Sequence, residues 1–123
     1  MGLQFVPEVT ASLAVTSLER SINWYQTVLG FTLLYRADEI GWCEMSTHMS
    51  GVNVGLSENQ NVPQGGGATN VWTVADIEAG KLHLEALGVR LDGDIQTLPD
   101  LVRLLTFFDP DGNAMMLAQS LQD

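Results

Sequence analysis

The sequence has few of the residues that build disulfides, metal centres and nucleic-acid surfaces. Cys43 is the single cysteine, so neither an internal disulfide nor a thiolate metal cluster is expected, and a reducing compartment is favoured. Five lysines and arginines stand against fifteen carboxylates, which gives a formal net charge of −10. Without a basic stripe to neutralise phosphates, nucleic-acid binding is not expected. The acidic balance suits solubility and mildly favours a cationic ligand.

Long apolar runs and a basic leader are missing as well. No stretch of about eighteen apolar residues is present, so no membrane-spanning helix and no membrane partner are expected. Residues 1–7 lack a basic segment followed by an apolar one, so no signal peptide is predicted and a cytoplasmic location is expected. The length of 123 residues and the apolar fraction of 46% predict one globular domain over residues 1–123.

Two segments of the chain show the same order of physical signals. Residues 15–31 and 74–89 each begin with valine and pass through a branched apolar residue and glutamate. Each then continues as a helical stretch that ends in Leu-Gly followed by an apolar residue. The repeat predicts two similar halves, residues 8–57 and 68–119, joined by the polar, glycine-rich linker 58–67. That linker is interpreted either as a flexible connection or as a mobile edge over a ligand site.

The helix in each half has recognisable start and stop signals. Thr16 and Glu19 predict a capping box at the start of the first helix, and Asp76 or Ala75 opens the second. Each helix is expected to end at a glycine that can adopt a left-handed conformation: Gly30 and Gly88. The apolar spacing predicts these buried residues: Leu18, Ile22, Tyr25 and Leu29 in the first helix, and Ile77, Leu84 and Leu87 in the second.

Each helix lies among short segments with the alternation that is typical of strands. The predicted strands are residues 10–15, 32–36, 41–47 and 52–57 in the first half, and 69–74, 89–91, 101–108 and 114–119 in the second. The segment Asp109-Pro-Asp-Gly112 predicts a tight turn between the last two. A helix covers one face of each sheet, so two such halves side by side predict a cupped sheet around a hollow.

These motifs resemble the vicinal oxygen chelate family of glyoxalases, extradiol dioxygenases and bleomycin-resistance proteins. The first matching set is Val15, Ser17, Leu18, Glu19, Trp24, Tyr25, Leu29, Gly30 and Phe31, and the second is Phe107, Asp109, Pro110, Asp111, Gly112 and Asn113. The resemblance covers residues 8–119 and implies an α+β fold. In it, two βαβββ modules form a cupped mixed sheet with the helices on its outer face. It also implies a homodimer.

The resemblance further implies where a metal centre would lie. Relatives carry His, Gln or Glu ligands on the concave face, and the matching positions here are Thr10, Thr69, Met116 and either Asn53 or Gly55. Hydroxyls are weak neutral ligands and a thioether is a soft one, so this set does not suit zinc, magnesium, manganese or iron(II). The two histidines, His48 in a predicted turn and His83 on a helix face, show no paired metal-binding spacing. We therefore predict no metal and no cofactor.

The candidate ligand site lies on the inner face of the predicted sheet. Alternation places these side chains there: Thr10, Ser12, Asn53, Thr69, Val71, Thr73, Phe107, Ala114 and Met116, with Trp42 at the mouth. Core packing is the alternative for Val71, Phe107 and Met116. Glu44 shares a strand face with Trp42 and Ser46, and it is either a rim carboxylate or a carboxylate that orients a ligand or acts as a general base.

Three functions remain open from the sequence. The leading hypothesis is a metal-free protein that binds a hydrophobic or cationic small molecule and sequesters it in the manner of the bleomycin-resistance type. The runner-up is a lyase, isomerase or dioxygenase-like enzyme with an atypical or displaced active site, which uses either a displaced metal site or Glu44 as the base. The third is a structural or regulatory module with a vestigial cavity.

Overall fold

The computed structural model describes residues 2–122 and divides the chain into two compact units, with the boundary between Pro63 and Gln64. The first unit contains β1 (Val9–Val15), α1 (Leu18–Leu29), β2 (Thr32–Ala37), a 3-10 turn (Asp38–Ile40), β3 (Trp42–Ser46) and β4 (Val52–Glu58). The second contains β5 (Asn70–Thr73), α2 (Ile77–Ala86), β6 (Leu91–Leu98), β7 (Val102–Phe108) and β8 (Ala114–Ser120). The predicted α+β class with two βαβββ modules is confirmed. Neither described helix has the length and apolar content that crossing a membrane requires.

The two units repeat one sheet topology. The strand order is β1-β4-β3-β2 in the first sheet and β5-β8-β7-β6 in the second. In each unit the first strand pairs in parallel with the last, and the other pairings are antiparallel. The helix that follows the first strand makes the parallel pairing possible, because parallel neighbours need a crossover connection. The sequence repeat therefore corresponds to a repeated mixed sheet.

The core of the first unit lies between α1 and one face of its sheet. The strands contribute Val15, Cys43, Met45, Val54 and Leu56, and the helix contributes Leu18, Ile22, Tyr25 and Val28, all buried. The prediction that Leu29 completes this stripe was wrong, because Leu29 is only half-buried. Phe31 follows the left-handed cap at Gly30 and stacks on Tyr25 with ring centroids 6.2 Å apart. It supplies the apolar contact expected of Leu29 at this end of the helix.

The core of the second unit is built in the same way. Its sheet buries Leu105, Phe107, Met115 and Leu117 against α2, which contributes Ile77 and Leu84. Gly80 permits this approach, since a Cβ there would lie 2.8 Å from a methyl carbon of Leu117. The predicted burial of Leu87 was wrong: its side chain is 42% exposed. The helix ends at Ala86, and the chain turns so that Val89 is buried instead.

Strand β6 differs most from the predicted boundaries. The apolar segment 89–91 predicted a short strand, whereas β6 runs over Leu91–Leu98. Its register with β7 shifts between Asp92 and Gln96, next to Gly93 with a φ of 75°. The bulged, acidic Asp-Gly-Asp stretch breaks the alternation on which the prediction relied. Such irregularity is common in edge strands, where one side of the backbone is free of ladder partners.

The helix starts partly match the predicted caps. Asp76 caps α2 through a hydrogen bond from Ala79 N, 3.1 Å long. The first helix is capped by Ser17 rather than Thr16, because the helix begins one residue later than the capping-box pattern indicated. The Ser17 hydroxyl accepts from Arg20 N at 3.2 Å, while Thr16 accepts from the Arg20 guanidinium at 2.9 Å.

Each helix has a second N-terminal acceptor that comes from the end of the sheet. The Glu58 carboxylate accepts from Leu18 N at 3.0 Å, and the Gln119 amide oxygen accepts from Ile77 N at 2.8 Å. Both acceptors stand on the strand that pairs in parallel with the first strand of their unit. They satisfy backbone donors that a helix leaves without intrahelical partners, and they tie each helix to its sheet.

We predict that these long-range caps stabilise both units. Glu58→Ala and Gln119→Ala should each lower the free energy of unfolding by about 1 kcal/mol, the usual cost of losing a side-chain cap. Glu58→Gln keeps an acceptor oxygen and should cost clearly less. Urea unfolding followed by circular dichroism gives these values. Equal losses for the Ala and Gln variants of Glu58 would contradict the capping role.

Candidate functional site

A mostly polar surface with one charged side chain, Glu44, covers the face of the first sheet that points away from α1. Strand pairing places the following side chains on it in three rows: Tyr35, Glu44, Gly55 and Ser12; Ala37, Trp42, Ser57 and Ala14; and Thr32, Ser46, Asn53 and Thr10. We call this set the open face of the first sheet. Glu44 lies on it because its chain neighbours Cys43 and Met45 both point into the core. The structure thus brings Thr10, Ser12, Trp42, Glu44 and Asn53 to one surface, and their role in binding stays a prediction.

The Glu44 carboxylate is the centre of the hydrogen bonding on this face. Oε2 accepts from Asn53 Nδ2 at 2.9 Å and from Thr10 Oγ1 at 3.2 Å. Oε1 accepts from the Tyr35 hydroxyl at 3.0 Å. The three donors stand on β4, β1 and β2. Each of the three remaining strands of the sheet therefore contributes one hydrogen bond to the carboxylate on β3. The register of the whole sheet therefore fixes the position of Glu44.

These donors stabilise the ionised form of Glu44. The hydrogen bond from Asn53 is the largest influence and lowers the pKa of the carboxyl, and those from Tyr35 and Thr10 lower it further. Partial burial acts in the opposite direction and does not outweigh them. All three donors are neutral, so they stabilise the negative charge without cancelling it. At neutral pH the open face therefore presents a carboxylate anion.

Trp42 and Tyr35 extend the network into an aromatic edge. Trp42 Nε1 donates to the Tyr35 hydroxyl at 3.1 Å, so two consecutive hydrogen bonds link the indole to Glu44. The benzo ring of Trp42 lies against Gly55, where an added Cβ would come within 2.0 Å of Cη2. Glycine at this position is thus a condition for the observed placement of the indole.

Tyr35 was missed by the sequence analysis for a physical reason. Regular alternation from Thr32 would put Leu34 opposite Glu44. The register instead shifts between Leu33 and Tyr35, so Tyr35 takes that position. The extra residue of a β-bulge turns the following side chains to the other face. Nothing in the apolar pattern of this strand marks such a bulge.

The second sheet also has a face that points away from its helix. Val71, Thr73, Ala114 and Met116 lie on it, with Thr69 directly ahead of β5. The prediction that Phe107 shares this face was wrong. Phe107 is fully buried and pairs with Met115, so it points toward α2, while Thr106 stands opposite Met116. Here the core alternative considered for Phe107 is the correct one.

The side chains at the positions implied for metal ligands do not suit a hard divalent cation. Thr10 and Asn53 pair in register and donate hydrogen bonds to Glu44, so that cluster holds one carboxylate and neutral groups. Met116 offers a thioether, which is a soft ligand. Within residues 2–122, no group of three His, Cys, Asp or Glu side chains is placed to hold a metal ion.

The histidines lie apart from this network. His48 occupies the turn between β3 and β4 with a φ of 71°. Its ring Nε2 lies 2.8 Å from the carbonyl oxygen of Gly30 and 3.1 Å from Thr32 Oγ1. His48 therefore anchors the turn to the end of α1. His83 is exposed in the last turn of α2.

We predict that a methyl group at position 55 displaces the indole. Gly55→Ala should move Trp42, break its hydrogen bond to Tyr35 and shift the tryptophan fluorescence to longer wavelength as the ring gains water contact. The cost in stability should be small, since the far end of a side chain can move away. The control is the same substitution in a Trp42→Phe background, where the emission should not change. An unchanged spectrum in the wild-type background would contradict the packing of Trp42 on Gly55.

Comparison with known structures identifies several proteins of the same fold. A member of the glyoxalase/bleomycin resistance protein/dioxygenase superfamily from Sphaerobacter thermophilus matches 96% of this chain and 100% of its own, with 21% identity and a TM-score of 0.82. TnmS3, an antibiotic binding protein from Streptomyces sp. CB03234, matches 98% of both chains with 25% identity and a TM-score of 0.77. FosX, a fosfomycin resistance protein from Listeria monocytogenes, matches 95% of both chains with 13% identity and a TM-score of 0.81.

The family assignment comes from the sequence match. Among curated proteins, none matches the chain significantly. The family model of the Glyoxalase/Bleomycin resistance protein/Dioxygenase superfamily matches residues 7–117, which is nearly the whole chain. The resemblance drawn from the two motifs is thereby confirmed. The chain belongs to the Glyoxalase/Bleomycin resistance protein/Dioxygenase superfamily.

Proposed function

We propose that the protein binds a small organic molecule without the help of a metal ion, and that it sequesters a hydrophobic or cationic compound. The observation that carries the proposal is the Glu44 carboxylate, which three neutral donors hold on the open face of the first sheet. Thr10, Ser12, Trp42 and Asn53 surround it as candidate contacts. Thr69, Thr73 and Met116 remain candidate contacts on the second sheet.

The chemistry of the donors supports a function without metal. A hard divalent cation needs several charged or strongly dipolar oxygen or nitrogen ligands at about 2.0–2.2 Å. Glu44 already accepts three hydrogen bonds, and Thr10 and Asn53 each use a donor to make them. A metal ion here would find a single carboxylate surrounded by neutral side chains, which is too few charged ligands for a hard divalent cation.

The lowered pKa of Glu44 favours binding over catalysis by this carboxylate. A general base works best when its pKa lies near the working pH. The hydrogen bonds from Asn53, Tyr35 and Thr10 lower the pKa of Glu44, so it takes up a proton less readily than an ordinary glutamate. These bonds also fix its orientation, which suits the recognition of a ligand. The alternative of an enzyme with Glu44 as its base is disfavoured for this reason.

The relatives are in accord with small-molecule binding. TnmS3 is described as an antibiotic binding protein, and its 98% overlap with this chain makes ligand sequestration a natural proposal. We further propose that the two modules form one domain and that the protein acts as a cytoplasmic homodimer, as the family resemblance implies.

We predict that the purified protein carries less than stoichiometric metal and that chelator leaves its melting temperature unchanged. A suitable ligand at about 100 times its Kd should add about 2.7 kcal/mol of stability, which raises the melting temperature by several degrees. Elemental analysis and a thermal-shift panel of hydrophobic and cationic compounds test both statements. Stabilisation by zinc, iron or manganese that chelator reverses would contradict the proposal.

We predict that Glu44 titrates below the ordinary glutamate range. Its folded pKa is lowered, so its contribution to stability is complete above the unfolded pKa and disappears as the pH falls through the folded pKa. Glu44→Gln should therefore cost about 1 kcal/mol or less at neutral pH, and the cost should shrink on acidification. NMR titration of the Glu44 side chain measures the pKa directly. Asn53→Ala should raise it, and an unshifted midpoint in the wild type would contradict the role of the three donors.

A further inference from the structure

We propose that the ligand is an organic cation whose ammonium group binds Oε1 of Glu44 beside the aromatic edge formed by Tyr35 and Trp42. This inference rests on the proposed binding function and narrows its ligand class from hydrophobic or cationic to cationic. It follows from the acceptor geometry of Glu44, from the absence of a compensating charge on the open face, and from the position of the two aromatic side chains.

Glu44 has one acceptor position left in a defined direction. A carboxylate offers about four lone-pair positions, two on each oxygen. Asn53 and Thr10 occupy Oε2, whereas Oε1 receives the Tyr35 hydroxyl. The remaining position is therefore on Oε1, on the side of the carboxylate next to Tyr35. An N–H donor of a ligand would complete the coordination of the anion.

The charge of Glu44 lacks a partner on its own face. The twelve positions that strand pairing assigns to the open face include no lysine, arginine or histidine, and Glu44 is their one acidic residue. Four acidic side chains elsewhere are paired with a cation: Glu19 and Asp38 with Arg36, Asp94 with Lys81, and Glu78 with Arg103. His48 contacts Thr32 at the border of this face. The carboxylate is thus a single anion on an otherwise neutral surface.

This charge decides between a neutral and a cationic ligand. A neutral apolar molecule that covers Glu44 would remove water from a carboxylate and give no charge in exchange, which is costly. An ammonium group offsets that cost with a charge-assisted hydrogen bond. The net charge of −10 acts in the same direction at longer range, because it attracts cations at low ionic strength.

The aromatic edge provides a second contact for the ligand, in addition to the Glu44 carboxylate. Tyr35 is 49% exposed although its hydroxyl is fixed by Glu44 and Trp42. Aromatic rings beside a carboxylate attract cations through their π faces and offer apolar surface to the body of the ligand. An amine joined to an aromatic body by a short linker fits both features.

Two matched probes test the inference: tryptamine, which is a cation at neutral pH, and indole-3-ethanol, its neutral analogue. We expect tryptamine to bind about tenfold more tightly at low ionic strength, which corresponds to about 1.4 kcal/mol. NMR titration should show shifts of the Trp42 indole N–H and the Asn53 side-chain amide. Glu44→Gln should abolish the preference for the amine.

The matched control is Glu39→Gln, which removes one negative charge in the exposed 3-10 turn outside the open face. It should retain the preference, because it changes the net charge by the same amount and leaves Glu44 intact. Equal affinity for the two probes, or no shift at Trp42 and Asn53 with either, would overturn the cationic ligand. If both variants lost the preference for the amine equally, that preference would come from the net charge, and the proposal of a cationic ligand at Glu44 would also be overturned. The proposed binding function fails separately, if no compound of the thermal-shift panel stabilises the protein.

Discussion

The open face of the first unit depends on one constraint: the Glu44 carboxylate keeps its three hydrogen bonds only while the strands that carry the donors keep their register. Its donors Thr10, Tyr35 and Asn53 come from different strands, and a slip of one residue in any of them would turn that donor into the core. The register is in turn secured by the apolar face of the same strands, which packs on α1. Core packing thus determines the geometry of the polar face.

Both units use the same connection between helix and sheet. In each unit a residue at the end of the last strand accepts from the first backbone N–H of the helix, Glu58 for Leu18 and Gln119 for Ile77. The parallel pairing of the first and last strands brings these partners together across about forty residues of sequence. The same contact in both units shows that the repeat extends from sequence signals to individual hydrogen bonds.

Local signals in the sequence were sufficient for most of the fold. Periodicity located both helices, the left-handed Gly30 marked the end of the first, and Asp76 marked the start of the second. These features depend on neighbouring residues alone. Tyr35 was missed because a β-bulge turns it to the other face of its strand. Phe107 was misplaced because the register between β7 and β8 puts it beside Met115. Alternation along one strand shows neither feature. The contacts of Glu58 and Gln119 join residues distant in sequence, which only the folded topology reveals.

The positions that the family resemblance assigns to metal ligands explain how this chain differs chemically from a metal-dependent relative. A metal centre gathers acceptor atoms around a cation. On the open face of the first sheet the arrangement is reversed, since Thr10 and Asn53 donate hydrogen bonds to an anion, Glu44. Trp42 meanwhile occupies the space that a side chain at Gly55 would need. Restoring a metal site would therefore take more than one substitution. An imidazole at position 10 or 53 would replace a hydroxyl or an amide that now donates to Glu44, and a side chain at position 55 would have to displace the indole.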